Sequence, residues 1–239
     1  MNLLNVFKDL SYGELRNNSI GNLIPDDNES EPDPKDYAQI LSHLNRGLDR
    51  LYGRFFLASQ EIYIQQQEAV ETYILDSLYA ESNTASVIPI EDRYIADSVA
   101  NPFLDNVLKI ETCFDEEGNL LFLNDATEVL SLFTPTFKSI QMPWPNEFNA
   151  VAIQYRAKHI PVVWTAGMDA ELVEVAVPDS LYEALLNFIA YRASPKMDGG
   201  AEAMAYLALY EQICKQVEKE GLYIQTEPGN WRFDCHGWV

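Results

Sequence analysis

Three histidines and three cysteines are the side chains of this 239-residue sequence with the widest chemical range, and none stands in a catalytic or metal-ligating spacing. His43 lies in a helical pattern between Leu41-Ser42 and Leu44-Asn45, where a surface or interhelical hydrogen bond is expected rather than base catalysis. His159 stands alone. Cys235-His236 would supply two metal ligands where four are needed, and no second pair exists to complete them. Asp115-Glu116-Glu117 lacks the alternating ligands and closing Glu of a calcium loop, so it reads as a solvated hairpin tip. Gly199-Gly200 is followed by no Lys-Ser or Lys-Thr and preceded by no strand, which removes a phosphate cradle. The many Asp and Glu residues could hold a glycosidase pair, but none is singled out. The sequence therefore points to no catalytic residue, no cofactor and no metal. Cys113, Cys214 and Cys235 form no CxxC pair and read as free thiols.

The elements that position these residues are clearest between Pro178 and Gly221. Leu181, Leu185, Phe188 and Ile189 share one helical face after Val-Pro-Asp-Ser, with Ser180 or Asp179 as cap, Glu183 at capping-box spacing and Pro195 as the stop. Lys196 to Gly200 reads as a turn. From Ala201, Met204, Leu207, Tyr210, Cys214 and Val217 recur at helical spacing until Gly221. A second long pattern starts at Asp33-Pro34 and carries Tyr37, Ile40, Leu41, Leu44, Leu48, Leu51, Tyr52 and Phe55 on one stripe. Such a stripe needs cover, and the pair of helices at 178 to 221 is the expected source. Near the amino terminus, Leu3, Leu4, Val6, Phe7 and Leu10 precede Ser11 and Glu14, whose spacing predicts the cap of a short helix closed by Gly21. Ile24 to Asp36, where prolines alternate with acids, reads as a flexible connector.

Between the helical parts the pattern turns to strands: 61–66, 70–75, 107–114, 120–123, 137–142 and 150–157, with Gly118 in a hairpin turn and Pro135, Pro143 and Pro145 confining their neighbourhood to edges and loops. The expected fold is thus α+β. Three main helices form a bundle body over 1–57 and 161–221, a mainly antiparallel β portion is inserted at 58–160, and an extended tail runs over 222–239. Tyr223, Trp231, Phe233 and Trp238 load that tail with apolar area while Pro228, Gly229 and Gly237 deny it a core of its own, so these four are expected to anchor on a partner.

Composition narrows the partners. With 16 basic against 37 acidic residues, a net charge of −21, the chain lacks the clustered cations that neutralise nucleic-acid phosphates. No run is long enough to span a membrane, and the amino terminus has no signal-peptide pattern, so the chain is expected in a cytoplasm.

Several stretches resemble head-to-tail adaptor (connector) proteins of short-tailed bacteriophages. They are Leu10-Ser-Tyr-Gly-Glu-Leu; the helix Ile40 to Phe55, with Asn45, Leu48, Leu51, Tyr52, Arg54 and Phe55 in an N-x-x-L-x-x-L-Y-x-R-F pattern; Glu61-Ile-Tyr-Ile; and Glu71-Thr-Tyr-Ile-Leu. Leu132 to Pro143, Ala152 to Ala157 and Pro178 to Tyr210 are similar to later parts of that family. The likeness spans about residues 10–215. It implies a virion structural protein at the neck of the tail, assembled in the bacterial host cytoplasm as a dodecameric ring. That ring would dock on the portal protein, meet the tail or nozzle protein, and continue the channel through which DNA passes without tight binding. An acidic lining suits that passage, and a closing ring needs two different sticky faces on each subunit. The competing readings are a phage-encoded peptidoglycan hydrolase working through an acidic pair, and another ring or tube component of the tail.

Overall fold

The computed structural model describes residues 1–16, 34–165, 168–194 and 200–223. They divide into two compact units, one drawn from Met1–Phe55 and His159–Ile224, the other from Phe56–Lys158. The acidic stretch before Pro34, the expected helix stop Pro195, residues 196–199 of the expected Lys196–Gly200 turn, Cys235, His236 and the tail aromatics Trp231, Phe233 and Trp238 lie outside the described residues.

Among the described residues the first unit contains four helices: α1 (Leu3–Tyr12), α2 (Pro34–Arg54), α3 (Asp179–Ala193) and α4 (Ala201–Lys219). In α1 the apolar spacing buries Leu3, Val6, Phe7 and Leu10. Its start is fixed by three otherwise orphan amides: Asn5 donates to the Asn2 side chain, and Leu3 and Leu4 donate to the carbonyls of Val173 and Ala170. Ser11 therefore falls in the last turn, and the cap expected there does not form. In α3 the helix begins at Asp179 after Pro178 with no side-chain cap. Asp179 and Ser180, the two predicted caps, both lie inside the first turn, and the Ser180 hydroxyl meets Tyr223 Oη at 2.9 Å instead.

The stripe on α2 is buried at Ile40, Leu44, Leu48, Leu51 and Phe55. A Cβ on Gly47 would sit 2.6 Å from Leu185 Cδ1 and 3.0 Å from Phe188 Cδ1, so the missing side chain is what lets α2 close onto α3. Burial on α3 extends nearly all round, taking in Leu181, Ala184, Leu185, Leu186, Asn187, Phe188, Ile189 and Ala190. This makes α3 the hub, packed on α2 and on α4. Tyr210 of α4 brings its ring to 5.5 Å from that of Phe188, and Arg54 at the end of α2 pairs with Glu211 and Glu218 of α4.

Helices do not supply all of α2's cover. Segments 159–165 and 168–177 also lie against it as a strap of mostly non-helical chain. Asn45 clamps Val162 by both backbone groups, at 2.9 Å from its Nδ2 to the carbonyl and 2.8 Å from the amide to its Oδ1. Tyr52 donates to the Ala176 carbonyl at 2.9 Å. Trp164 packs on Tyr37 at 4.6 Å and on Phe7 at 6.0 Å between centroids. The expected three-helix bundle body is thereby corrected. A hydrophobic stripe requires apolar cover but does not say of what kind, and here α1, α3 and the strap share it. Among the described residues the unit is four helices, with α3 packed on the other three.

The second unit is more substantial than an appendage of strands. Eight strands form two antiparallel sheets among the described residues. They are β1 (Ser59–Gln65), β2 (Thr72–Ile74), β3 (Ile95–Ala96), β4 (Val107–Phe114), β5 (Leu120–Leu121), β6 (Phe133–Thr136), β7 (Ser139–Gln141) and β8 (Ala150–Ala157). The larger sheet has the order β3-β1-β8-β4-β5 and the smaller β2-β7-β6. On β8 the alternation is strict: Val151, Ile153, Tyr155 and Ala157 point into the core and their neighbours out. Ile62 and Ile64 of β1 join the same core with Ile110 and Cys113 of β4 and Tyr73 of β2. The short strands β3 and β6 carry too few residues for a period to show in sequence. Pro135 sits within β6, an edge strand where its missing N–H is tolerated.

Candidate partner interface

Among the described residues, His43, His159, Cys113, Cys214 and the 115–117 acids are not brought together into one cluster. His43 is 8% exposed and neither of its ring nitrogens has a hydrogen-bond partner, so the hydrogen bond expected of it is not made. Its pKa is pushed down to about 4, first by burial and then by Arg192 and Arg46, and the ring stays neutral. His159 is held by Asp49 at 3.3 Å from its Nε2 and by the Ile160 carbonyl at 3.0 Å from its Nδ1. Cys113 and Cys214 are buried free thiols, and burial raises the Cys113 thiol to about 12, far from a nucleophile. Among the described residues no group of three His, Cys, Asp or Glu could hold a metal, and no helix is long and apolar enough to cross a membrane.

Asp115 is consumed by its own turn. Its Oδ1 accepts from the amides of Glu117 at 3.0 Å and Asn119 at 2.8 Å, its Oδ2 from Asn119 Nδ2 at 2.9 Å, and these bonds hold its carboxyl below the usual range. Gly118, at φ 83°, allows the turn to close. Glu116 accepts from the Ala150 amide, which ties the hairpin tip to β8. Glu117 projects with only a 3.3 Å contact to Asn119.

What surrounds this tip is the distinctive surface of the unit. On one side lies a groove of about 390 Å³ whose apolar lining includes Leu121, Leu130, Leu132, Met142 and Trp144, with Asp115, Glu116 and Glu117 on its rim. On the other, a hollow of about 540 Å³ is lined by Tyr63, Phe114 and Ala152. Trp144 is 69% exposed and Leu130 68%, and Leu120, Phe122 and Phe148 on the adjoining segments are also exposed. Apolar side chains in one neighbourhood, rimmed by charge, mark an interaction surface. Sequence reading passed over Leu130 and Trp144. The available signal was Pro143-Trp144-Pro145, since a tryptophan between two prolines cannot turn inward from a regular strand.

Of the four predicted tail anchors, only Tyr223 is described. It adopts φ 57° just after Gly221 and lies edge-on to Phe55 with centroids 6.5 Å apart.

A second polar surface occurs on the helical unit. Arg46 and Arg50 are exposed one turn apart on α2, and Arg192 is exposed on α3. Arg50 lies over the Phe188 ring at 5.4 Å, and Arg46 and Arg192 both act electrostatically on His43, which places the three about one patch. No ion pair to any of them occurs among the described residues, in contrast to Arg54.

No protein-family model matches the chain, and no curated protein matches it in sequence.

Proposed function

We propose that this chain is a virion structural protein, a head-to-tail adaptor that assembles as a ring on the portal of a short-tailed phage and continues the DNA channel. The observation that carries the reading is the apolar, acid-rimmed surface about Trp144 and Leu130, which is far too open for a core and suits a subunit contact. The likeness of Asn45–Phe55 and of the strand segments to that family supplies the kind of assembly. Net charge supports the channel role, because an acidic wall does not retain phosphate.

The reading is tested by measuring the mass of the full chain alone and with a purified portal ring of its own phage. Several copies bound per portal ring are expected, and a chain that leaves the portal's mass unchanged overturns the reading. Both Leu130 and Trp144 are exposed, so Leu130→Asp/Trp144→Asp is expected to leave the thermal melt within about 0.5 kcal/mol of the natural chain. The same variant should lower the bound copies more than about tenfold, the effect of losing a central apolar anchor. A variant that docks normally removes this surface from the contact.

Duplex DNA gives an independent check. The isolated chain is expected to show no retention of duplex DNA at physiological salt, where even non-specific binders reach about 10⁻⁴ to 10⁻⁶ M. A steeply salt-dependent micromolar affinity would contradict the acidic-channel role.

A further inference from the structure

We infer that the acid-rimmed groove of one subunit receives the arginine patch of a second copy, Arg46 and Arg50 of α2 with Arg192 of α3. This rests on the ring assembly proposed above and names the partner of that same surface.

The groove has the chemistry of a guanidinium receptor. Glu116 and Glu117 are exposed on its rim, and the ring of Trp144 lies open beside them. A guanidinium lies flat on an indole while its edge N–H groups meet carboxylates, a combination an ammonium matches poorly. The aliphatic stem of an arginine is apolar enough to cover Leu121 and Leu130.

The same chain carries the matching groups on its helical unit, Arg50 with its guanidinium over the Phe188 ring. Arg46 and Arg50 are four residues apart on a helix, so their side chains emerge about 5–6 Å from one another on one face. No ion pair to Arg46, Arg50 or Arg192 occurs among the described residues, and the buried His43 beside them is held neutral. A strongly acidic partner is therefore favoured, and a second copy is one: residues 56–158 hold sixteen acidic against five basic side chains. The arginine patch and the groove are different surfaces of the chain. Their union is heterologous, the type of contact that closes into rings. Duplex DNA is the other polyanion such a patch would attract, and the test separates the two.

The experiment uses the full chain in three forms: natural, Arg46→Glu/Arg50→Glu, and Glu117→Lys. The last leaves the Glu116 bond to Ala150 in place. Sedimentation velocity over a concentration series should show salt-sensitive self-association of the natural chain, weakened at least about tenfold in each variant, as for loss of a close interfacial charge pair. Mixing the two variants should restore it, because the acidified patch of one then faces the basic rim of the other. Lys215→Glu/Lys219→Glu adds the same charge on the exposed face of α4 and is expected to associate like the natural chain. Unchanged association in Arg46→Glu/Arg50→Glu, failure of the mixture to recover, or an equal loss in the α4 control each overturns the inference. So does retention of duplex DNA that disappears with Arg46 and Arg50. Portal-bound rings that form normally from the Arg46→Glu/Arg50→Glu chain sink this contact alone and leave the adaptor reading standing. A natural chain that self-associates through these residues but never binds a portal removes the adaptor reading and leaves the contact.

Discussion

Leu48→Ala is expected to cost about 2–5 kcal/mol of folding free energy, the range for truncating a fully enclosed leucine. Leu48 is 1% exposed in the middle of the α2 stripe, with Leu44 and Leu51 completely buried on either side. Next to it Gly47 brings the α2 backbone so near α3 that Leu185 and Phe188 fill the space a side chain would take. A helix held that closely cannot slide inward to fill a void, so the cavity term adds to the lost transfer energy. Urea unfolding followed by helical circular dichroism measures the loss. Leu48→Met, which keeps the volume, should cost less than about 1.5 kcal/mol. If the alanine variant loses under about 1 kcal/mol, Leu48 does not sit in a tight core.

Tyr94→Phe is expected to cost about 1–3 kcal/mol although it removes a single oxygen atom. The Tyr94 hydroxyl accepts from the Ile74 amide at 2.8 Å and donates to the Ile74 carbonyl at 3.0 Å. Ile74 stands opposite Ser139 of β7, and β2 is the edge of the smaller sheet. The phenol thus takes the place of a further strand, satisfying both backbone groups on the open side. Its ring is fixed by stacking on Tyr79 at 4.6 Å and by an edge contact with Tyr73 at 4.9 Å. Phenylalanine keeps those ring contacts and deletes only the two hydrogen bonds, so the cost isolates the orphaned amide and carbonyl. Hydrogen exchange provides the local readout. The Ile74 amide should exchange faster in the variant while Ile153, in the centre of the larger sheet, is slowed or hastened only with global stability. An Ile74 amide as protected as before would show that another group satisfies it.

Both results depend on features that differ in how openly the sequence displays them. The α2 stripe from Tyr37 to Phe55 is legible because an α-helix repeats every 3.6 residues and a long buried face must repeat with it. Strands β4 and β8 are legible for the same reason at a period of two, and their bounds of Val107–Phe114 and Ala150–Ala157 are those expected. Ser11 and Ser180 misled because a capping residue is defined by which amides lack partners. In α1 those amides are taken by Asn2 and by carbonyls about 170 residues downstream.

The candidate interface was mostly illegible for a related reason. Leu130 and Trp144 are ordinary apolar residues in sequence, and only the tertiary arrangement leaves them outside the core and sets them beside the 115–117 turn. Arg46, Arg50 and Arg192 become a patch only because α2 and α3 pack together. By itself the sequence determined the helices, the long strands, the acidic charge and the absence of a catalytic spacing, all of which follow from residue type and short-range period. The fold decided what covers α2, how many sheets the strands make and which apolar and charged side chains are left without partners. Those are sums over contacts between residues far apart in the chain, and local periodicity carries no record of them.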